Sequence, residues 1–168
     1  YVGNLGENYP IKPFLKSFQK LNTIDDSWKL RFVGNVGEKT TNTIHELKLN
    51  DVVELLPYQP HIEAVQTMLN SDILILIIPQ IIENKGIITG KLFEYIATEN
   101  PIILIGPKDG DAAQIISEFN NCSIHDYNEN INLEEVFDKM NNTCNSKGLK
   151  EKYSRAKQAE EIINLIQK

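Results

Sequence analysis

The chain has 168 residues, of which 41% are hydrophobic and 24% are charged, and its formal net charge is -6. This length suits one domain of ordinary size, and the composition excludes a disordered or low-complexity chain. The negative charge argues against a protein that binds nucleic acid by neutralising many phosphates. A single phosphorylated ligand is still compatible with it, because a helix N-terminus binds phosphate through backbone amides.

Cysteine and apolar patterns narrow the class of protein further. Cys122 and Cys144 are far apart and outside any metal-ligand spacing, which predicts reduced thiols in a cytosolic protein. The three histidines have no acidic or cysteine partner at ligand spacing, so no metal site is expected. The longest apolar run, residues 73–82, is too short to span a bilayer. The chain begins without methionine inside a strand-like pattern, so we expect it to be a piece of a longer protein.

Taken in order, the chain alternates short apolar runs with helical patterns. The runs predict strands at residues 1–3, 29–34, 52–56, 73–78, 102–106 and 123–125. Apolar residues at helical spacing predict helices at residues 11–21, 40–47, 61–69, 92–96, 111–119 and 133–140, and one long terminal helix from Gly148. The run 73–78 shows no alternation, which is typical of a central parallel strand covered on both faces.

This alternation with short connections predicts an α/β fold: a three-layer α/β/α, doubly wound, Rossmann-like parallel sheet of about six strands. In such sheets, ligands bind beyond the carboxyl ends of the strands, near the switch in strand order. The loops that leave those ends should share one rim, and they are residues 3–6, 34–37, 57–60, 79–91 and 106–110. Binding residues are therefore expected in these loops.

The most suggestive part of that rim follows the fourth predicted strand. A glycine that opens a helix leaves the amides of Gly90, Lys91 and Leu92 available to cradle a phosphate, with Lys91 as an added charge. Glu94, one turn into the helix, could accept hydrogen bonds from two ribose hydroxyls, or it could be a solvated glutamate that favours the helix dipole. The segment is not a Walker A loop, because Gly86 is four residues before Gly90 and no Ser or Thr follows the lysine.

Other parts of the rim leave alternatives open. The loop from Gly3 to Gly6 loosely resembles a dinucleotide-binding loop, and it can equally be a tight turn. Residues 109–111 predict either a turn with a helix cap or further groups facing the ligand. A receiver-type phosphorylation domain ranks low, because Asp51 and Asp72 lie at the amino ends of their strands.

Residues 90–97, Gly-Lys-Leu-Phe-Glu-Tyr-Ile-Ala, and the Pro-Ile-Ile at 101–103 resemble a segment of nucleotide-sugar glycosyltransferases of the GT-B fold. The similarity is to the large retaining group called family 4 or group 1, in which a glycine-led loop and a glutamate open such a helix. It extends in order over nearly the whole chain, including residues 2–3, 31–34 and 55–58. The resemblance implies that residues 1–168 are the donor-binding C-terminal domain, one half of a GT-B fold, and that the N-terminal acceptor domain is absent.

The resemblance also implies roles for individual residues around the nucleotide. Glu94 would bind the ribose hydroxyls. The amides of Gly90, Lys91 and Leu92, together with the loop from Gly3 to Gly6, would meet the diphosphate. Backbone dipoles and Lys91 would then stabilise the charge that builds on the leaving diphosphate.

The remaining roles concern the base, the sugar and the partners. By resemblance, the loops at Gly34 and Tyr58 would flank the base, and Gly86 and Thr89 would face the donor sugar. The donor would be a UDP-, GDP- or ADP-sugar, and no cofactor is expected. The acceptor would be a glycan or lipid of the cell envelope, bound by the absent domain. The location would be the cytoplasm or the inner face of the membrane, with any peripheral membrane contact made through the absent domain.

The chain departs from the family pattern at three positions. Gly86 stands eight residues before Glu94, where the family has a second glutamate. Asn4 lies in the first loop, where a basic residue often meets the diphosphate, and Glu99 replaces the glycine before Pro101. A variant subgroup accounts for these differences. The alternatives are a nucleotide-sugar epimerase domain and a non-catalytic nucleotide-binding or interaction module of the same fold. We expect the fragment alone to bind a nucleoside diphosphate weakly and to transfer nothing.

Overall fold

Five parallel strands form the middle layer of the part of the chain that the computed structural model describes, residues 1–143 and 149–166. In chain order they are β1 (Leu30–Val33), β2 (Val53–Leu56), β3 (Leu74–Ile77), β4 (Ile102–Ile105) and β5 (Cys122–His125). They form two sheets rather than one: β1 pairs with β2 in a two-stranded sheet, and β4 lies between β3 and β5 in a three-stranded sheet. β3 and β4 are buried along their whole length, as their unbroken apolar sequences predict.

The prediction of about six strands is wrong by one, because residues 1–3 do not form a strand of their own. They contribute a single parallel bridge, in which Val2 lies opposite Val33. The amide of Val33 donates to the carbonyl of Tyr1 at 2.9 Å, and the amide of Gly3 donates to the carbonyl of Val33 at 2.7 Å. Gly3 then adopts a φ of 118°, which turns the chain out of the extended conformation and interrupts the pairing, and a second isolated bridge follows between Leu5 and Val36.

Helices connect the strands and follow the last one. They are α1 (Lys12–Ile24), α2 (Glu38–Glu46), α3 (His61–Leu69), α4 (Gly90–Thr98), α5 (Asp111–Ile116), α6 (Leu133–Asn141), α7 (Leu149–Lys152) and α8 (Arg155–Ile166). A 3₁₀ turn, Asn84–Gly86, precedes α4. Cys144 and Gly148, about which the sequence made predictions, lie outside the described residues.

The single terminal helix that the apolar spacing predicts is two helices, α7 and α8. The division falls at Tyr153 and Ser154, where the Ser154 hydroxyl accepts a hydrogen bond from the amide of Lys157 at 3.2 Å. A serine in that position caps a helix N-terminus, so α8 begins anew after it. The ring of Tyr153 packs against those of Phe93 and Phe119, each with centroids 6.0 Å apart. This packing holds the turn between the helices against the domain.

Alternate side chains of the strands fill two separate cores. Phe32, Ile75 and Ile103 point to one face, where α1, α2 and α6 cover them. Val33 and Leu76 point to the other face, where α3, α4 and α5 cover them. Burying each such side chain stabilises the fold by about 1.5–3 kcal/mol relative to leaving it exposed. The predicted three-layer, doubly wound, Rossmann-like arrangement is therefore confirmed, with fewer strands than predicted.

The loops that leave the carboxyl ends of the strands are tied to each other. The amide of Gln80, after β3, donates to the carbonyl of Asn8 at 2.7 Å. Asn84 donates from its side chain to the Tyr127 hydroxyl, after β5, at 2.8 Å. These bonds join loops from different parts of the sequence at one rim of the sheet, where ligands of such folds bind.

Candidate functional site

Two glycines and a lysine meet at the start of α4. Gly3 and Gly34 both have a φ of 118°, a backbone conformation that side chains strongly disfavour. A Cβ on Gly34 would lie 2.7 Å from the carbonyl oxygen of Gly3, and a Cβ on Gly3 would lie 2.6 Å from Nζ of Lys91. The backbone conformation therefore favours glycine at both positions, and at Gly34 the neighbouring backbone oxygen also leaves no room for a Cβ. The structure brings together three of the residues that the sequence predicts for the site.

The Lys91 side chain lies against Tyr1. Its ammonium donates a hydrogen bond to the Tyr1 hydroxyl at 2.6 Å and sits 4.2 Å from the centre of that ring. The Tyr1 hydroxyl in turn donates to the carbonyl of Asn4 at 2.7 Å. This chain of contacts fixes the ammonium beside the loop that begins at Gly3, and the interaction with the ring face adds a cation–π attraction.

Tyr95 holds α4 in register with that loop. Its side chain is fully buried, and its hydroxyl accepts a hydrogen bond from the amide of Val2 at 3.0 Å. Burial raises the pKa of Tyr95 and keeps the hydroxyl neutral. Because Val2 directly precedes Gly3, this bond sets the position of the glycine relative to Lys91.

The environment of Lys91 is short of negative charge. Burial lowers the pKa of Lys91 to about 8, and the nearby Glu94 carboxylate opposes the shift without restoring the ordinary value. The ammonium is thus still charged at neutral pH but partly desolvated. An anion placed next to it would recover the lost electrostatic stabilisation.

The backbone amides at the start of α4 are further hydrogen-bond donors for such an anion. The first turn of a helix has no intrahelical acceptor for its amides, which leaves those of Gly90 and Lys91 for another group. The amide of Leu92 donates to the carbonyl of Thr89 at 3.0 Å. A Cβ built on Gly90 meets no atom within 4 Å, so there is open space beside these amides.

Two oxygen-bearing side chains near this helix end have no partner in the described part of the chain. The Thr89 hydroxyl is buried and makes no hydrogen bond there, although Thr89 occupies the N-cap position of α4. A buried hydroxyl without a partner costs about 1–3 kcal/mol. The carboxylate of Glu94 is half-buried and takes part in no hydrogen bond or ion pair within the same residues. The carboxylate is free to bind a polar ligand, and the Thr89 hydroxyl has an unused hydrogen-bonding capacity.

The other predicted site residues lie apart from this cluster. Tyr58, in the loop after β2, is 77% exposed. Cβ atoms built on Gly6 and Gly86 would each meet nothing within 4 Å, so there is open space beside both glycines. The chain alone does not bring these three residues into contact with Lys91.

Residues 109–111 form a turn, with Gly110 as the N-cap of α5. Asp109 is engaged by Lys85, whose ammonium lies 2.5 Å from its carboxylate. This ion pair and the close packing of Gly110 against the carbonyl of Lys85 connect the loop after β4 to the loop after β3. These residues therefore have a structural role, which is to connect the two loops.

Tyr1 and Tyr95 are the residues of the cluster that sequence reasoning missed. Tyr95 lies within the segment that resembles the glycosyltransferases, and this position could have indicated that it belongs to the site. Tyr1 gives no signal, since its contact with Lys91 joins residues 90 positions apart.

No group of three metal-binding side chains occurs in the part of the chain that the structure describes. Cys122 carries a free thiol, and burial raises its pKa to about 12. Among residues 1–143 and 149–166, no helix is both long enough and apolar enough to cross a membrane.

Comparison with known proteins gives one family. The family model described as Glycosyl transferases group 1 matches residues 1–161. A comparison with curated proteins gives no match. The matched range begins before Gly3 and continues past α4, so it includes the whole cluster around Lys91.

Proposed function

Because the chain belongs to the group 1 glycosyl transferases, we propose that it is the donor-binding C-terminal domain of such an enzyme, one half of a GT-B fold. The observation that carries this proposal is the cluster at the start of α4, where a partly desolvated ammonium lies beside a glycine loop and unpaired amides. This arrangement suits the diphosphate of a nucleotide-sugar donor, a UDP-, GDP- or ADP-sugar.

The diphosphate would lie between the Gly3 loop and the first turn of α4. Its oxygens would accept hydrogen bonds from the amides of Gly90 and Lys91, and its charge would pair with the Lys91 ammonium. Donors at a helix N-terminus act together with the helix dipole, which favours negative charge there by about 0.3–1 kcal/mol at an exposed site. Tyr1 supports the ammonium from the opposite side, so the lysine is held in place before the ligand arrives.

Glu94 would bind the ribose. A carboxylate accepts two hydrogen bonds at once, which matches the two adjacent hydroxyls of a ribose. In the described residues no other group occupies this carboxylate. Its position one turn into α4 places it beside the helix end that would hold the diphosphate.

The base and the sugar would occupy the two sides of this centre. The loops at Gly34 and Tyr58 would flank the base, and the exposed ring of Tyr58 is available to stack on it. The loop with Gly86 would face the sugar, and the unpaired hydroxyl of Thr89 would bind one of the sugar hydroxyls.

Transfer would build negative charge on the departing diphosphate. The amides at the start of α4 and the Lys91 ammonium would face that charge and stabilise it. The acceptor, a glycan or lipid in envelope polysaccharide synthesis, would bind to a second domain outside this chain. Sugar transfer would take place in the cytoplasm or at the inner face of the membrane, and residues 1–168 alone would transfer nothing.

A second candidate function is a nucleotide-binding module that does not catalyse transfer. It is favoured by Gly86, which stands where the resembling enzymes have a second glutamate. The binding role of Lys91 and Glu94 is common to both candidates, and sugar transfer by a protein that contains this domain would separate them.

Calorimetric titration of the chain with UDP, GDP and ADP tests the binding proposal. We expect at least one nucleotide to bind, and Glu94→Ala to weaken that binding about tenfold through loss of two hydrogen bonds. Glu63→Ala is the matched control, because Glu63 is a glutamate near the start of a different helix, α3, away from the site. Absence of binding by all three nucleotides, or equal effects of the two variants, would overturn the proposal.

A further inference from the structure

A second region of the rim has the shape of a ligand site. A cavity of about 580 Å³ opens between the start of α1, the first turns of α2 and the loop after β5, and we call it the lysine cavity. Binding sites for small molecules typically have about 300–1,000 Å³. Neither Lys91 nor Glu94 lines this cavity, so it is a different place from the donor site.

The charge of the lysine cavity is opposite to that of the protein as a whole. Lys12, Lys16 and Lys39 line it, although the chain has a net charge of -6. Lys12 forms an ion pair with Glu46 at 2.8 Å. Within the described residues, Lys16 and Lys39 form no ion pair and no side-chain hydrogen bond. Two ammonium groups are therefore available to a ligand.

Among the described residues, Glu129 is the only carboxylate that lines the cavity, and its charge is already paired. Glu129 receives a hydrogen bond from Nδ1 of His125 on one oxygen at 2.9 Å, and Nζ of Lys108 lies 2.6 Å from the other. Burial alone would raise the pKa of Glu129, but the hydrogen bonds from Lys108 and His125 lower it to about 2. The carboxylate is thus ionised and paired, and it does not cancel the charge of Lys16 and Lys39.

A threonine side chain that is almost fully buried, but whose hydroxyl faces the cavity, supplies independent support for a ligand. Thr40, in the first turn of the nine-residue helix α2, is only 3% exposed and lines the cavity. Among the described residues its hydroxyl has no hydrogen-bond partner. The neighbouring hydroxyls of Thr41 and Thr43 differ, because they donate to the carbonyls of Gly37 and Lys39. A ligand in the cavity can provide the partner that Thr40 lacks.

We propose that the lysine cavity binds a sugar phosphate. Lys16 on α1, together with Lys39 and the unpaired Thr40 hydroxyl in the first turn of α2, suits a phosphate, which offers three acceptor oxygens. Asn128 and Asn130 also line the cavity, and their side-chain amides can bind the hydroxyls of a sugar, although the Asn130 oxygen already accepts from Lys20 at 3.1 Å. The proposal does not depend on nucleotide binding at Glu94.

Amide chemical shifts of the isotope-labelled chain, titrated with glucose 6-phosphate, test this proposal. We expect saturable shifts at Lys39, Thr40 and Asn128, and much weaker binding of glucose. Glu94→Ala should leave the affinity unchanged, because that residue lies outside the cavity. Shifts confined to Gly90 and Lys91 would show that the phosphate binds at the donor site, and they would overturn the proposal.

Matched variants separate the cavity from general charge effects. Lys39→Gln should weaken binding of glucose 6-phosphate about tenfold, whereas Lys139→Gln, on exposed α6 surface outside the cavity, should not. Thr40→Val should weaken binding and Thr40→Ser should restore it, which a purely structural role of the side chain would not produce. Equal affinities of the two lysine variants, or inorganic phosphate binding as tightly as glucose 6-phosphate, would overturn the assignment.

Discussion

Lys91→Gln should remove a pH dependence of stability that the wild-type chain shows between pH 8 and 9.5. Burial lowers the pKa of Lys91 to about 8 from an ordinary value of 10.5. In this range the unfolded chain binds more protons at this group than the folded chain does, so the free energy of unfolding rises with pH. Lys91→Gln removes the titrating group, so the variant should show a smaller rise.

The magnitude follows from the size of the shift. Each pH unit in this range contributes about 1.4 kcal/mol, and partial exposure of the ammonium reduces the total to about 1–2 kcal/mol at pH 9.5. Burial raises the pKa of Cys122 to about 12, and the opposite effect of this thiol falls in the same range but is common to the wild type and the variant. Burial also raises the pKa of Tyr1 and of Tyr95, and their opposite effect belongs to higher pH. The comparison therefore stops at pH 9.5.

Urea unfolding followed by the fluorescence of Trp28 measures this difference. Trp28 packs against Phe137 with ring centres 4.5 Å apart, so its emission reports on the folded core. Lys139→Gln, which changes the charge equally on an exposed surface, is the control and should behave like the wild type. Parallel pH profiles for wild type and Lys91→Gln would refute the reasoning that Lys91 is desolvated.

Three further predictions concern the backbone around the site and the end of α4. Gly34→Ala should lower the free energy of unfolding by about 2 kcal/mol or more, because of the positive φ and the close approach of a backbone oxygen. The control Gly6→Ala should change it by about 0.5 kcal/mol or less. Equal melting temperatures of the two variants would contradict this. Tyr95→Phe should lower the free energy of unfolding by about 1–3 kcal/mol, because the buried amide of Val2 loses its acceptor, and unchanged urea unfolding would count against that bond. Glu99→Gly should raise the melting temperature, because a φ of 63° costs a residue with a side chain about 1 kcal/mol. A lower melting temperature would show that the contacts of the Glu99 side chain matter more than its backbone strain.

The layered fold could be predicted because its signals are local. The apolar runs at 73–78 and 102–106 show no alternation of apolar and polar residues. A central parallel strand is buried on both faces, so its sequence has this unbroken apolar pattern. Glycines at the ends of several runs marked the turns of the rim. The bend at Gly3 and the helix cap at Ser154 could not be predicted from the apolar pattern. That pattern continues past both residues, whereas the strand pairing and the helix are interrupted there by local backbone geometry and a local hydrogen bond.

The site could be predicted only where its residues lie close in sequence. The segment from Gly90 to Glu94 is a continuous stretch, and the position of Glu99, where the resembling enzymes have glycine, proves to be left-handed in the structure. The contact of Lys91 with Tyr1 and the lysine cavity arise from long-range packing, which no periodicity encodes. The ligand roles of all these residues stay predictions.

A thermodynamic cycle on Glu94 tests the central claim most directly. Calorimetry would compare the nucleoside diphosphate that binds the chain with its 2′-deoxy form, in the wild type and in Glu94→Gln. If Glu94 binds the ribose hydroxyls, removal of the 2′-hydroxyl should weaken binding about fivefold to tenfold in the wild type and have little effect in the variant. Equal loss of affinity in both proteins would contradict the claim that this chain binds a nucleotide donor through Glu94.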